Sequence, residues 1–200
     1  NEMAQTFWGR VAHFEKAYAF IYHQPHSNSA RAVYKIKYFD MPDIGVDIGE
    51  IMGKMMKEAR FTDDIDVILP VPLAKERKRQ RGFNQSEMIA QGISYATGIR
   101  VVTGAVSRVS FHGSQTKRDR QGRTENVENA FRLKNGKLVT GKHVLIVDDI
   151  VTTGATIVAM AKQITQLPGV RVSVAAIGFA GERIYANSDD KDEEDNIFSQ

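Results

Sequence analysis

The stretch that most restricts what this chain can become is His143 to Thr156, HVLIVDDIVTTGAT. Val144 to Val147 is a short unbroken apolar run, and Asp148 and Asp149 follow it at once. Thr152, Thr153, Gly154 and Thr156 come next, within about a turn of one another. An apolar run of that length, followed by a turn and then a helical pattern, predicts a buried strand feeding a helix. Loops at the carboxyl ends of such strands are where open α/β sheets hold ligands. Two adjacent carboxylates there can accept hydrogen bonds from a diol or face a hydrated divalent cation. The hydroxyls and amides of residues 152–156 would meet the positive end of the helix, with Gly154 letting a phosphate come close. The combination asks for a sugar phosphate. A plainer reading makes the carboxylates helix caps and the threonines turn residues, but a lone Thr-Thr-Gly is a far weaker pattern than the whole run.

Composition narrows the class. Two hundred residues with 42% apolar content make one domain with a normal core. No apolar run approaches the roughly 18 residues of a membrane span, and the amino end carries no basic-then-apolar signal segment. The expectation is a soluble, cytoplasmic protein. Cysteine is absent, which removes disulfides and thiolate metal sites. The net charge of +3 is uneven: residues 182–200 hold seven acidic and two basic side chains, so residues 1–181 carry 25 − 17 = +8. A basic body suits a polyphosphate or a nucleic acid, and charge by itself does not choose between them.

Along the chain, Thr6 to Tyr22 mixes aromatic and small residues that suit packing, and Ala17 to Tyr22 suits an edge strand. Residues 24–30 read as a loop, Ala30 to Phe39 as helical, and Ile44 to Ala59 as an amphipathic helix. In that helix Ile44, Ile48, Ile51, Met52, Met55 and Ala59 fall at core spacing. Asp66 to Val71 is a second short apolar strand, stopped by Pro70 and Pro72. A basic loop follows, with Lys75, Arg77, Lys78, Arg79 and Arg81, and then Asn84 and Glu87 as a capping box for a helix to about Thr97. A strand, a basic loop and a helix in that order imply a second anion site, although a charge run is more often a solvated face.

Ile99 to Val106 is strand-like, and Arg108 to Asn126 is a long polar segment of the kind that forms a functional lid. Ala130 to Leu133 and Lys137 to Thr140, joined across Asn135-Gly136, suggest a hairpin. A helix over about 153–167 and a central strand over 170–179 complete the core, and the acidic tail after Gly181 reads as disordered.

The run from Val144 to Thr156 resembles the ribose-phosphate signature of type I phosphoribosyltransferases. It is unlike a Walker A loop, because no Lys follows the glycine. The run LPVPLAKERKRQRGFNQSEMIA resembles the ComF family, competence-associated proteins with that fold. Ile36-Lys37-Tyr38, Gln115-Thr116, Arg123, Asn126-Val127 and Ala130-Phe131 also match the family's spacing. The resemblance implies an α/β, mostly parallel twisted sheet flanked by helices, with a small amino-terminal hood and a flexible lid loop. It divides the chain into residues 1–181, with hood and amino-terminal helices over 1–60 and core over 61–181, and a tail over 182–200.

It further implies a 5-phosphoribosyl 1-diphosphate donor with Mg2+. Thr152, Thr153, Gly154, Ala155 and Thr156 would hold the 5′-phosphate, and Asp148 and Asp149 the ribose hydroxyls and, through water, the metal. Pro72, Leu73, Arg77, Lys78, Arg81 and Lys37 would hold pyrophosphate, with Arg123 closing over it. The expected reaction transfers phosphoribosyl to a nitrogenous acceptor, unidentified, whose pocket would draw on Phe20, Tyr34, Lys37 and Tyr38. The alternatives are a catalytically silent donor-binding protein of DNA uptake or a DNA-binding module, with single-stranded DNA, a competence helicase or a second copy as partner. Family members usually begin with a four-cysteine zinc ribbon, which this sequence does not contain, and His13, His23 and His26 are too irregularly spaced to replace it.

Overall fold

The structure is a computed structural model that describes residues 1–22, 42–109 and 130–181. Its strands are β1 (Phe14–Tyr22), β2 (Val67–Pro70), β3 (Arg100–Val101), β4 (Val106–Arg108), β5 (Phe131–Leu133), β6 (His143–Val151) and β7 (Arg171–Phe179). Its helices are α1 (Glu2–Phe7), α2 (Pro42–Glu58), α3 (Lys75–Arg81), α4 (Gln85–Thr97) and α5 (Ala155–Ile164). Five strands form one sheet in the order β1-β7-β6-β2-β3, and every neighbouring pair is parallel. The fold is α/β with helices on both faces, as the apolar runs predict.

Alternation along β6 shows why its sequence had to be apolar throughout. Val144 and Ile146 enter one cluster with Met3, Phe7, Ile157 and Met160, while Leu145 and Val147 enter the other with Met52, Met56, Ile89 and Ile93. Successive side chains point to opposite faces, and both faces are covered, so no position could be polar cheaply. β7 is likewise buried from Val172 to Phe179 and lies centrally, and β1 takes the edge beside it. The aromatic stripe near the amino end is packing: Phe7 and Trp8 lie 5.6 and 5.4 Å from the Phe14 ring.

The α2 helix packs on α4 through glycines. A Cβ built on Gly49 would lie 2.2 Å from the Ile89 carbonyl oxygen, and one on Gly92 would lie 2.0 Å from that of Val46. Backbones this close leave no room for the larger stripe expected from the periodicity. Met52 and Met56 are buried, but Ile51 and Met55 face outward, which corrects the assignment of both to the core.

Three further local expectations are corrected. Residues 75–81 form a helix rather than a loop, closed by Gly82 at φ 79°. Asn84 starts α4 but makes no side-chain cap, because its amide donates instead to the Val71 carbonyl at 3.0 Å. The hairpin across Asn135-Gly136 does not form: β5 pairs antiparallel with β4, and residues 136–138 make a 3-10 turn. Asn-Gly favours a tight turn in either setting, and the partner strand was decided by distant contacts.

At the amino edge of the sheet, His143 is fully buried. Its Nδ1 donates to Asp64 Oδ2 at 3.0 Å, and its Nε2 then accepts from Ser173 Oγ at 2.8 Å. Burial holds this imidazole below its ordinary pKa against the pull of Asp64, so it stays neutral. The arrangement has the partners of a hydrolase triad, yet Ser173 is wholly buried inside the sheet and no substrate can reach it. It ties β6, β7 and the turn before β2 together.

Candidate functional site

Because the strands are parallel, their carboxyl ends share one edge. The chain leaves β2 through α3 and α4 toward β3, and leaves β6 through α5 toward β7, in opposite directions across the sheet. Accordingly α4 covers one face and α5 the other, so a crevice opens between the carboxyl ends of β2 and β6. The Val71 amide donates to the Val147 carbonyl at 2.9 Å, which sets the bend after β2 directly beside Asp148.

Asp148 and Asp149 form one wall. Ser86, in the first turn of α4, donates its hydroxyl to Asp148 Oδ1 at 3.0 Å, and the Asp149 amide donates to the same oxygen at 3.0 Å. Asp149 Oδ1 accepts from the Ile150 amide at 2.7 Å. Burial, and then the neighbouring Asp149 charge, push the Asp148 carboxyl up to about 8, in spite of the Ser86 bond. A pair so placed is short of positive charge. Among the described residues no group of three or more His, Cys, Asp and Glu surrounds a metal position. Two carboxylates nevertheless fit Mg2+, which is commonly held by one or two of them together with waters and substrate phosphates.

The bend over 152–156 leads into α5. Gly154 is its N-cap at φ 71°, a left-handed conformation that suits glycine. Its place is also set by packing: a Cβ there would lie 2.8 Å from Phe7 Cε1 and 2.9 Å from Thr6 Cγ2. The glycine is therefore needed on the α1 side of the bend, a packing requirement separate from any role in admitting a phosphate. Thr153 is exposed, its Oγ1 accepts from the Ala155 amide at 3.4 Å, and Thr152 and Thr156 are half-buried. Arg10 Nη1 donates to the Thr153 carbonyl at 2.8 Å and to the Thr6 carbonyl at 3.1 Å.

The opposite wall is the bend after β2. On its side toward β4, Pro72, Leu73, Lys78, Asn84 and Glu87 line a cleft of about 160 Å³ with Thr103, Gly104 and Val106, a lining that includes neither Asp148 nor residues 152–156. Lys78 pairs with Glu87 at 3.3 Å, and Arg77, Arg79 and Arg81 are exposed on α3. Arg108, two residues beyond Val106 on β4, stacks over Phe131 at 5.4 Å from the ring centroid. Burial first, and then the nearby Arg77 charge, lower the pKa of Arg108, while Asp148 opposes them. The Arg77 charge is thus felt at Arg108, and accumulated positive charge of this kind favours a nearby anion.

Lys37 and Arg123, expected at the pyrophosphate and lid positions, lie outside the described residues, as do Tyr34 and Tyr38. Phe20 packs on the α2 and α4 side of the sheet. His13 sits in an exposed turn at φ 54°. Sequence reading missed Ser86, Arg108 and Arg10. Ser86 was signalled only by following Asn84 in a first helical turn, and Arg108 by opening the basic polar segment. Arg10 had no local signal, because its partner Thr153 lies 143 residues away.

The phosphoribosyl transferase domain family matches residues 37–193. DNA utilization protein YhgH of Escherichia coli O6:H1 is 33% identical over 133 residues, 65% of this chain and 58% of that protein. Competence protein F of Haemophilus influenzae is 27% identical over 139 residues, 68% of this chain and 61% of that one. Competence protein ComFC of Bacillus subtilis is 31% identical over 117 residues, 56% of this chain and 41% of that one. The chain thus spans under two thirds of the length of the curated relatives it matches. Among solved structures, an allosteric regulatory enzyme of purine biosynthesis is a distant likeness, with a TM-score of 0.47 and 20% identity over 71% of this chain and 30% of that one. With three quarters of its length inside the family match and competence proteins among its relatives, this chain belongs to the phosphoribosyl transferase domain family, as a ComF-type member.

Proposed function

We propose that this chain binds 5-phosphoribosyl 1-diphosphate with Mg2+ in the crevice between β2 and β6 and transfers phosphoribosyl to a nitrogenous acceptor. The observation that carries this reading is the Ser86 to Asp148 hydrogen bond of 3.0 Å, which joins the helix behind the basic bend to the acid pair on β6. A donor with a diphosphate at one end and a 5′-phosphate at the other has reason to need both bends at one crevice.

In this reading residues 152–156 bind the 5′-phosphate through amides at the start of α5, where the helix field favours anions. Asp148 and Asp149 accept the ribose hydroxyls. Pro72 and Leu73 shape the cleft, and Arg77, Lys78, Arg81 and Arg108 bind the diphosphate. Bound Mg2+ would neutralise leaving-group charge as pyrophosphate departs. The carboxylates then favour positive charge that develops on the ribosyl carbon, and no covalent nucleophile is called for. Arg123 and Lys37 belong to this reading on resemblance alone.

The test is titration calorimetry of the donor with Mg2+. Asp148→Asn with Asp149→Asn should weaken binding by about two orders of magnitude or more, the usual cost of losing such contacts, with the fold intact by circular dichroism. Unchanged affinity sinks the reading. Pyrophosphate release with a panel of bases then separates a transferase from a silent donor-binding protein.

By analogy with relatives named for competence and DNA utilization, the pathway served is DNA uptake. A second reading rests on α3, where Arg77, Lys78, Arg79 and Arg81 crowd into seven residues, more cation than a diphosphate needs. Binding of single-stranded DNA that falls steeply with salt would support it.

A further inference from the structure

We propose that Arg10 is a positioning residue for the phosphate bend, acting through the peptide between Thr153 and Gly154 from the far side of the bend. The inference rests on the donor reading above and adds a component that belongs to neither strand end.

Three observations meet at this point. Arg10 Nη1 donates to the Thr153 carbonyl at 2.8 Å and to the Thr6 carbonyl at 3.1 Å, so one guanidinium nitrogen joins the bend to α1. Gly154 faces the same segment, where a Cβ would lie 2.8 Å from Phe7 Cε1 and 2.9 Å from Thr6 Cγ2. Phe7 is itself fully buried, so the platform under the bend is part of the core and not a loose terminus.

The consequence follows from peptide geometry. The 153–154 peptide is trans, and in a planar trans peptide the carbonyl and the N–H point in opposite directions. Holding the Thr153 oxygen from the α1 side therefore presents the Gly154 N–H to the other side, toward the start of α5. A charged donor on the carbonyl also polarises the peptide and strengthens that N–H as a donor. Arg10 thus acts on an anion at residues 152–156 without touching it. A neutral donor would fix the orientation but supply less of the polarisation.

The experiment compares two halves of the donor on the same protein. Ribose 5-phosphate and Mg2+-pyrophosphate are titrated separately by calorimetry into wild type, Arg10→Ala, Arg10→Lys and Arg10→Gln. Arg10→Ala should weaken ribose 5-phosphate about tenfold and leave pyrophosphate within twofold. Arg10→Lys should recover most of the loss and Arg10→Gln only part, and millimolar methylguanidinium should partly rescue Arg10→Ala. Unchanged ribose 5-phosphate affinity in Arg10→Ala overturns the proposal. An equal loss for both ligands also overturns it, since that marks general damage to the crevice. Wild type that takes neither ligand overturns the donor reading itself, and the role of Arg10 falls with it.

Discussion

The bend after β2 places its positive charge on side chains, whereas the bend after β6 has no cation of its own and offers backbone amides at the start of α5. The first is built from Arg77, Lys78 and Arg81 on a short helix, with Arg108 arriving from β4. The second is built from a left-handed glycine, three threonines and a peptide gripped from outside by Arg10. Side-chain charge is mobile, screened by salt and easily shared with Glu87. Amide dipoles are fixed by the fold and respond to backbone strain. Under the proposed function the two ends of one donor are held by different physics, and each end can be disturbed alone.

The largest expected effect lies between the two bends. Asp148, with its pKa at about 8, holds a proton at neutral pH that under the proposed function a divalent cation displaces. Affinity for Mg2+-pyrophosphate should rise about tenfold per pH unit from 6 to 8 and level off above, while ribose 5-phosphate without metal changes far less. Calorimetry at four pH values checks this, and Asp148→Asn should flatten the profile. The sign for stability is opposite. A carboxyl raised on folding holds its proton more tightly in the folded chain, so the contribution of Asp148 to stability is greatest below the ordinary carboxylate range and declines as pH climbs to about 8. Melting curves of Asp148→Asn should lose that decline.

Next in size is removal of two guanidinium groups from the bend after β2. Arg77→Ala with Arg108→Ala should cost pyrophosphate affinity about 30-fold, close to 2 kcal/mol, and reduce its salt dependence. Ribose 5-phosphate binding should hardly change. A loss shared equally by both ligands would break the division between the bends.

A backbone perturbation should strike the other bend. Gly154→Ala combines φ 71° with a Cβ 2.8 Å from the Phe7 ring. We expect a stability loss of about 2 kcal/mol, near 6 °C in melting temperature, together with weaker ribose 5-phosphate binding. The smallest effect concerns Glu87. Glu87→Gln should free Lys78 from its partly exposed pair and raise pyrophosphate affinity about twofold, as fits the small worth of such pairs.

How much of this was legible in advance varied with the range of the interaction. The strands at 67–70 and 143–151 and the helices at 85–97 and 155–164 followed from apolar runs and periodicity, because burial on both faces of a sheet leaves few residue choices. The acid pair and the threonine bend were equally visible as a continuous motif. The glycine contact between α2 and α4 was not, since glycines at 49 and 92 look alike whether they pack tightly or turn. The pairing of β4 with β5 escaped for the same reason, as did the diversion of Asn84 from capping to the Val71 carbonyl.

By itself, then, the amino-acid order determined the fold class, the strand ends that form the candidate site and the residue types present there, since each depends on local pattern and burial. Tertiary structure alone decided that Ser86 meets Asp148, that the Arg77 charge is felt at Arg108, and that Arg10 reaches Thr153. Those meetings join segments dozens to more than a hundred residues apart. Their geometry is set by how the strands register and on which face each helix returns, and no short stretch of sequence carries that.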